Sequence, residues 1–208
     1  MPIVFFQNGK LLLISLLLLW SMGPAHAAQF VHAEVSEKDD TYTTRAEAVI
    51  TARPDQIRAV LTDYENLNVL SPTIQHSVVL DRTSLDITSV KVQLYTCAFV
   101  ACSRKFVVQD YTEHDQEVRM TVHPGSGGFR FGRAAWRWKQ EGDKTRVFFS
   151  STMRPDFWLP PLVGTSIVKE KMREEVLETV KRLEHLSAKR PVAQAVVYST
   201  NDHYDSYD

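Results

Sequence analysis

PPLVGTSIVKEKMREEVLETVKRLEHLSAK, residues 160–189, decides how the chain folds. Pro160 and Pro161 fix φ and stiffen the entry to whatever follows. Beyond them Met172, Val176, Val180 and Leu183 step by four, four and three, so one face of a helix is apolar. Lys and Glu fill the opposite face. Such a helix runs about 25 residues, near 40 Å at 1.5 Å per residue. That is long enough to lie across a whole sheet, and its apolar stripe must be buried against one.

The residues before it supply the sheet. IQHSVVLDRT (74–83), DITSVKVQLYTC (86–97), CSRKFVVQDYTE (102–113), QEVRMTVHPG (116–125), GGFRFGRAAWRWKQEG (127–142) and DKTRVFFSSTM (143–153) all read as strands. Turn chemistry at Ser84–Asp86, His114-Asp115, Gly125–Gly128 and Gly142-Asp143 separates most of them, so consecutive strands form an antiparallel meander. Upstream, TYTTRAEAVITA (41–52) is another strand. RPDQIRAVLTDYENLNVLSP (53–72) carries apolar residues at helical spacing, with Pro54 suited to a first helical position. Asp63-Tyr64-Glu65-Asn66 interrupts it, giving two short helices with a bend. The expected fold is α+β: a curved antiparallel sheet of about seven strands wrapped around a long C-terminal helix, with two short helices after the first strand.

The two ends read differently from this body. Lys10 precedes the apolar run LLLISLLLLW, Gly23-Pro24 breaks it, and Ala25-His26-Ala27 fits a small-x-small cleavage site. Those are the parts of a secretory signal peptide over 1–27. The run is about half the roughly 20 residues a membrane span requires, which disfavours an anchor. The mature protein is therefore expected to be exported, periplasmic in a bacterium and otherwise secreted. Residues 28–40 read as a flexible lead-in, 41–189 as one domain, and 190–208 as a disordered polar tail. Lys10 is one of 24 basic residues facing 25 acidic ones, so the mature chain is slightly acidic and nucleic acid is not an expected partner.

Strand, two small helices, six strands and a long helix make the helix-grip order, and three stretches resemble the START-like (SRPBCC) superfamily. They are ITARPDQIRAVLTDYENLNVLSPTI, GGFRFGRAAWRWKQEGDKTRVFFSSTMRPDF and PDFWLPPLVGTSIVKEKMREEVLETVKRLE. The similarity is nearest the polyketide-cyclase and coenzyme-Q-binding branch, covers about residues 41–187, and makes this an exported member. It implies a cavity between sheet and helix.

No catalytic constellation stands out. His76, His114 and His123 fall on different strands or turns, and no metal-binding spacing is present, so no metal or cofactor is expected. Asp110, Glu113, His114 and Asp115 cluster beside a turn, and Ser126-Gly127-Gly128 reads as a flexible hairpin. The richer signal is apolar. Val92, Leu94, Met120, Phe131, Trp136, Phe149 and Met153 are the expected cavity lining, with Phe157 and Trp158 either plugging its mouth or forming its rim. Phe129 and Phe131 share odd parity while Trp136 and Trp138 share even parity. Both pairs face inward only if a bulge near Gly132–Ala135 shifts the register. Packing against the helix is the alternative for each residue. Arg133, Arg137 and Arg154 are candidate anchors for a ligand head group.

Three functions fit. One is non-catalytic binding of a hydrophobic small molecule, such as a lipid or isoprenoid quinone, for transport, presentation or sensing in the cell envelope, with transient membrane contact. The others are a cyclase/aromatase-like enzyme acting on an enclosed apolar substrate, and a structural domain without a ligand. An enzyme needs an inward acid or base. The inward positions read here, Val92, Leu94, Val118, Met120 and Val122, cannot transfer a proton.

Cys97 and Cys102 are the chain's only cysteines. In one straight strand they lie about 17 Å apart, too far to bond. A turn through Ala98–Ala101 sets them opposite each other, within disulfide range. An exported chain favours the disulfide over two free thiols. That register also pairs Leu94 with Lys105 and Gln93 with Phe106, which sorts poorly by face and suggests a bulge.

Overall fold

The computed structural model describes residues 28–83, 86–98, 101–156 and 164–191. Its strands are β1 (Gln29–Lys38), β2 (Thr41–Ile50), β3 (Ile74–Arg82), β4 (Ile87–Ala98), β5 (Ala101–His114), β6 (Glu117–Val122), β7 (Phe129–Glu141) and β8 (Lys144–Pro155). The helices are α1 (Pro54–Leu61), α2 (Leu67–Leu70) and α3 (Gly164–Lys189), with a 3₁₀ turn at Tyr64–Asn66 joining the first two. All eight strands form one antiparallel sheet in the order β1-β2-β8-β7-β6-β5-β4-β3. This is the START-like helix-grip fold.

The eighth strand corrects the expected lead-in. Residues 29–38 pair with β2 through most of their length, with one register shift between Phe30 and His32. Phe30, Ala33 and Val35 turn toward the body of the protein while Val31 and Glu34 remain exposed. Ala28 and Phe30 pack onto the core. The alternation is weakened by small and charged residues, so it reads as polar when met alone. At the other end Arg190, expected in the loose tail, is tied down. Its carbonyl accepts Gln56 Nε2 at 2.7 Å, and its guanidinium pairs with Asp63. Residues 1–27 and 192–208 lie outside the described chain.

Strand alternation builds the inward face of the sheet. On β2, Tyr42, Thr44, Ala46, Ala48 and Ile50 are all buried, while on β8 Thr145, Val147 and Ser151 are. Helix α3 leans on β1, β2, α1 and α2. Two apolar clusters result. One joins Val180 and Leu183 of the helix to Ile50, Ile57, Trp138 and Val147. The other joins Tyr64 and Leu67 to Val90, Val92, Val107 and Val122, and Tyr111 touches both. The helical stripe holds as expected at Val176, Val180 and Leu183, with Met172 only half-buried.

Ser187 also faces inward, fully buried, and its hydroxyl has no hydrogen-bond partner among the described residues. A buried hydroxyl left unpaired costs about 1–3 kcal/mol, and Ala is the better helix former. Ser187→Ala is therefore expected to raise stability by about 1 kcal/mol in a denaturant titration. A loss of similar size would mean that the hydroxyl is satisfied.

Candidate functional site

Burial along the helix divides the interior. Leu183, Val180 and Val176 are 0%, 1% and 4% exposed, whereas Met172 and Val168, one and two turns earlier, are only half-buried. The sheet shows the same change. Met120, Ala134, Trp136, Phe149 and Met153 point inward from β6, β7 and β8, yet none is fully buried. They are neighbours. The register pairs Met120 with Ala134 and Ala134 with Ser151, while Trp136 sits between Val118 and Phe149. The Trp136 and Phe149 rings are 4.6 Å apart at 42°, a tilted contact of the favourable kind. Apolar side chains that face inward and still meet solvent thus lie side by side at the middle of the sheet, as do Met172 and Val168 along the first half of α3.

The other expected lining residues fall in three places. Val92 is fully buried in the second cluster and Leu94 is half-buried at its edge. Phe131 points the other way. The bulge lies between Phe129 and Phe131 rather than at Gly132–Ala135, so Phe129 packs inward and Phe131 is left 39% exposed on the convex face. Phe157 and Trp158 lie outside the described residues. Arg133 and Arg137 share Phe131's parity on β7, and Arg154 pairs with Phe131 on β8. All three therefore face outward. On that face Arg137 approaches Glu117 at 3.8 Å and Arg154 approaches Asp40 at 3.9 Å.

Several polar groups near the interior escape a reading by local pattern. Thr44 and Ser151 are cross-strand partners on the inward face, 2% and 5% exposed. Tyr111 donates its hydroxyl to Gln109 Oε1 at 2.8 Å, and burial pushes its phenol above the ordinary range. Tyr64 donates to Glu113 Oε1 at 3.0 Å, and Arg58 holds the same carboxylate at 3.3 Å. Burial, followed by the Glu113 charge, raises Tyr64 as well. Both phenols thus stay protonated as donors; the Tyr64 hydroxyl ties the 3₁₀ turn to β5, while that of Tyr111 bonds within β5. Asp110 of the same acidic cluster serves the convex face. Asp110 accepts from Ser89 and contacts His123 at 2.8 Å.

Glu175, on α3, is a carboxylate with a raised pKa. Desolvation raises it, opposed by hydrogen bonds from Thr73 Oγ1 at 2.5 Å and Ser71 Oγ at 3.1 Å. A carboxyl whose folded pKa exceeds its unfolded one binds more protons when folded, so its contribution is present at low pH and lost as pH rises through the folded value. Glu175→Gln keeps an acceptor for both hydroxyls. We expect it to flatten the decline in thermal stability between mildly acidic and neutral pH. A profile that runs parallel to the parent's would overturn the assignment.

A depression of about 560 Å³ lies at the far end of α3 among Ala28, Thr51, Gln56, Lys181, Glu184, His185 and Ala188. Its acid is already engaged, since Glu184 Oε1 accepts the Thr51 N–H at 2.9 Å.

The register at the cysteines agrees with the reading by sequence. Cys97 pairs directly with Cys102, Leu94 with Lys105 and Gln93 with Phe106, with no shift anywhere along β4 and β5. The expected bulge is absent, and pairing continues to Ala98 and Ala101, so the strands run closer to the tip than a four-residue loop allows.

The model of the family described as polyketide cyclase / dehydrase and lipid transport matches residues 50–181. No curated protein matches the chain by sequence. Solved structures of the same fold include a protein from Thermus thermophilus, 21% identical with a TM-score of 0.59, covering 70% of this chain and 97% of that one. A STAR-related lipid transfer protein from Xanthomonas axonopodis is 17% identical with a TM-score of 0.58, covering 77% and 98%. The Zhui aromatase/cyclase from Streptomyces sp. R1128 is 9% identical with a TM-score of 0.53, covering 71% and 91%.

Proposed function

Because the chain belongs to the polyketide cyclase / dehydrase and lipid transport family, we propose that it encloses a hydrophobic small molecule, such as a lipid or isoprenoid quinone, and carries, presents or senses it without catalysis. One observation carries this reading: a contiguous set of inward apolar residues, Met120, Ala134, Trp136, Phe149 and Met153, is left half-buried opposite the half-buried start of α3. Burying such a set against an apolar ligand is favourable by about 25 cal/mol per Å². On this reading Leu94 lines the edge of the space and Val92 belongs to its supporting core.

The enclosed enzyme is the second reading. It draws on Tyr111, an inward phenol kept protonated by burial. Against it, Tyr111 is committed to Gln109, and the polar side chains in cross-strand register with Ala134 are those of Ser151 and, beyond it, Thr44. Neither is an acid or base near neutral pH. Native mass spectrometry with lipid extraction, on protein purified from its own envelope, tests the binding proposal. A stoichiometric apolar molecule supports it, and a consistently empty chain overturns it.

The working compartment is proposed to be the cell envelope, on the leader read over residues 1–27. The direct pairing of Cys97 with Cys102 supports a disulfide, which persists in that compartment. Closing so small a loop contributes about 2 kcal/mol on the chain-entropy scale, so its effect is mainly to hold the hairpin end in register. Intact mass with and without reductant checks this. The non-reduced chain should be lighter by two hydrogens, and equal masses would refute the bond.

A further inference from the structure

The convex face carries a second apolar surface that ligand enclosure does not use. Val78 and Leu80 of β3, Tyr95 of β4 and Phe106 of β5 are 57%, 53%, 39% and 55% exposed. Val78 lies opposite Lys91, Gln93 opposite Phe106, and Tyr95 opposite Arg104. Directly paired residues share a face, and 91, 93 and 95 alternate with the inward Val90, Val92 and Leu94. The four apolar side chains therefore form one patch across three adjacent strands. β3 is also an end of the sheet, so nothing flanks it on that side.

Charge on this patch has a single sign toward the hairpin end. Lys91 Nζ stands 4.9 Å from the Phe106 ring centroid, and the Arg104 guanidinium 5.9 Å from that of Tyr95. Residues 87–109 contain no acid, in a chain with 25 acidic residues, and of their cations Lys91 and Arg104 lie on this face while Lys105, paired with Leu94, lies on the other. The acids of this face, Asp81 and Asp110, sit across from Ser89 at the far end.

Shape adds a third observation. β3 pairs with β4 only as far as Leu94, and β6 pairs with β5 only from Gln109. Past Tyr95 the two arms of the hairpin have only each other as strand neighbours among the described residues, and as far as Ala98 they project by about 10 Å at 3.3 Å per residue. They project from the end of the sheet where β8 finishes and where Glu175, in the first half of α3, meets Thr73.

We propose that the exposed faces of β3 to β5, carrying Val78, Leu80, Lys91, Tyr95, Arg104 and Phe106, form a docking surface for anionic phospholipid bilayers. Exposed aromatics paired with cations suit the bilayer interface, where rings sit at headgroup depth and each Lys or Arg is drawn to anionic lipid. A projecting, convex surface fits a flat bilayer better than it fits the concave site of a protein. The proposal deepens the enclosure reading, because it places membrane contact at the end of the sheet nearest the half-buried lining.

The test is flotation of the purified chain with phosphatidylcholine vesicles, with and without about a third phosphatidylglycerol. Binding should require the anionic lipid and fall with added salt. Lys91→Glu with Arg104→Glu should weaken it by at least roughly tenfold, and Phe106→Ser with Tyr95→Ser should also reduce it. Ligand content by native mass spectrometry should be unchanged in both variants, so loss of enclosure would be read separately. Equal binding to neutral vesicles, or full binding by both variants, would overturn the proposal. So would a concentration-dependent dimer that both variants abolish, since the patch would then join two copies of the chain.

Discussion

Leu183→Ala is expected to cost about 2–5 kcal/mol, and Met172→Ala under about 1 kcal/mol, although both lie on the same face of the same helix. Leu183 has no exposed surface and packs with Ile50, Ile57, Trp138 and Val147 in the main core. Truncating it removes transfer energy and leaves a cavity that rigid neighbours cannot close. Met172, three turns earlier, is half-buried opposite half-buried residues, so truncation removes little that was buried. At roughly 2–4 °C per kcal/mol for a chain of this size, Leu183→Ala should lower Tm by roughly 4–20 °C. Differential scanning calorimetry of both variants in ligand-free protein decides the matter. Equal losses would mean that the helix packs tightly along its whole length, leaving no space for a ligand.

That asymmetry was only half legible in the sequence. The stripe Met172, Val176, Val180, Leu183 identifies a buried face, but periodicity carries no information on how closely the facing layer approaches. The meander and the pairing of Cys97 with Cys102 were legible because both follow from short connections and local turn chemistry. Strand β1 was not, since small and charged residues mask the alternation of Phe30, Ala33 and Val35, and pairing with β2 supplies the missing order. Phe131 was placed inward on parity arguments that depend on where a bulge falls. One residue's displacement sends every side chain beyond it to the other face. The polar contacts Tyr64–Glu113 and Thr73–Glu175 join residues 49 and 102 positions apart, and no local pattern announces either.

Ala134→Phe separates ligand enclosure from ordinary packing by the sign of its effect. Ala134 faces inward at the middle of β7, between Met120 and Ser151 and one residue pair from Trp136. If these side chains close a packed core, a phenyl ring there overpacks it and costs about 1–3 kcal/mol. If they line an open space, the ring fills it. The strand tolerates an aromatic residue well, and filling a cavity commonly adds about 0.5–2 kcal/mol. The same ring occupies volume that the ligand requires, so the variant should hold its Tm or gain a few degrees while bound apolar ligand falls by tenfold or more. Thermal unfolding and ligand mass per chain, measured on one preparation, give both readings. Lower stability with undiminished ligand would place the binding site elsewhere in the fold. Lower stability in a chain that never held ligand would return Trp136 and Phe149 to the role of core residues, and the helix-grip interior would then be a packed layer.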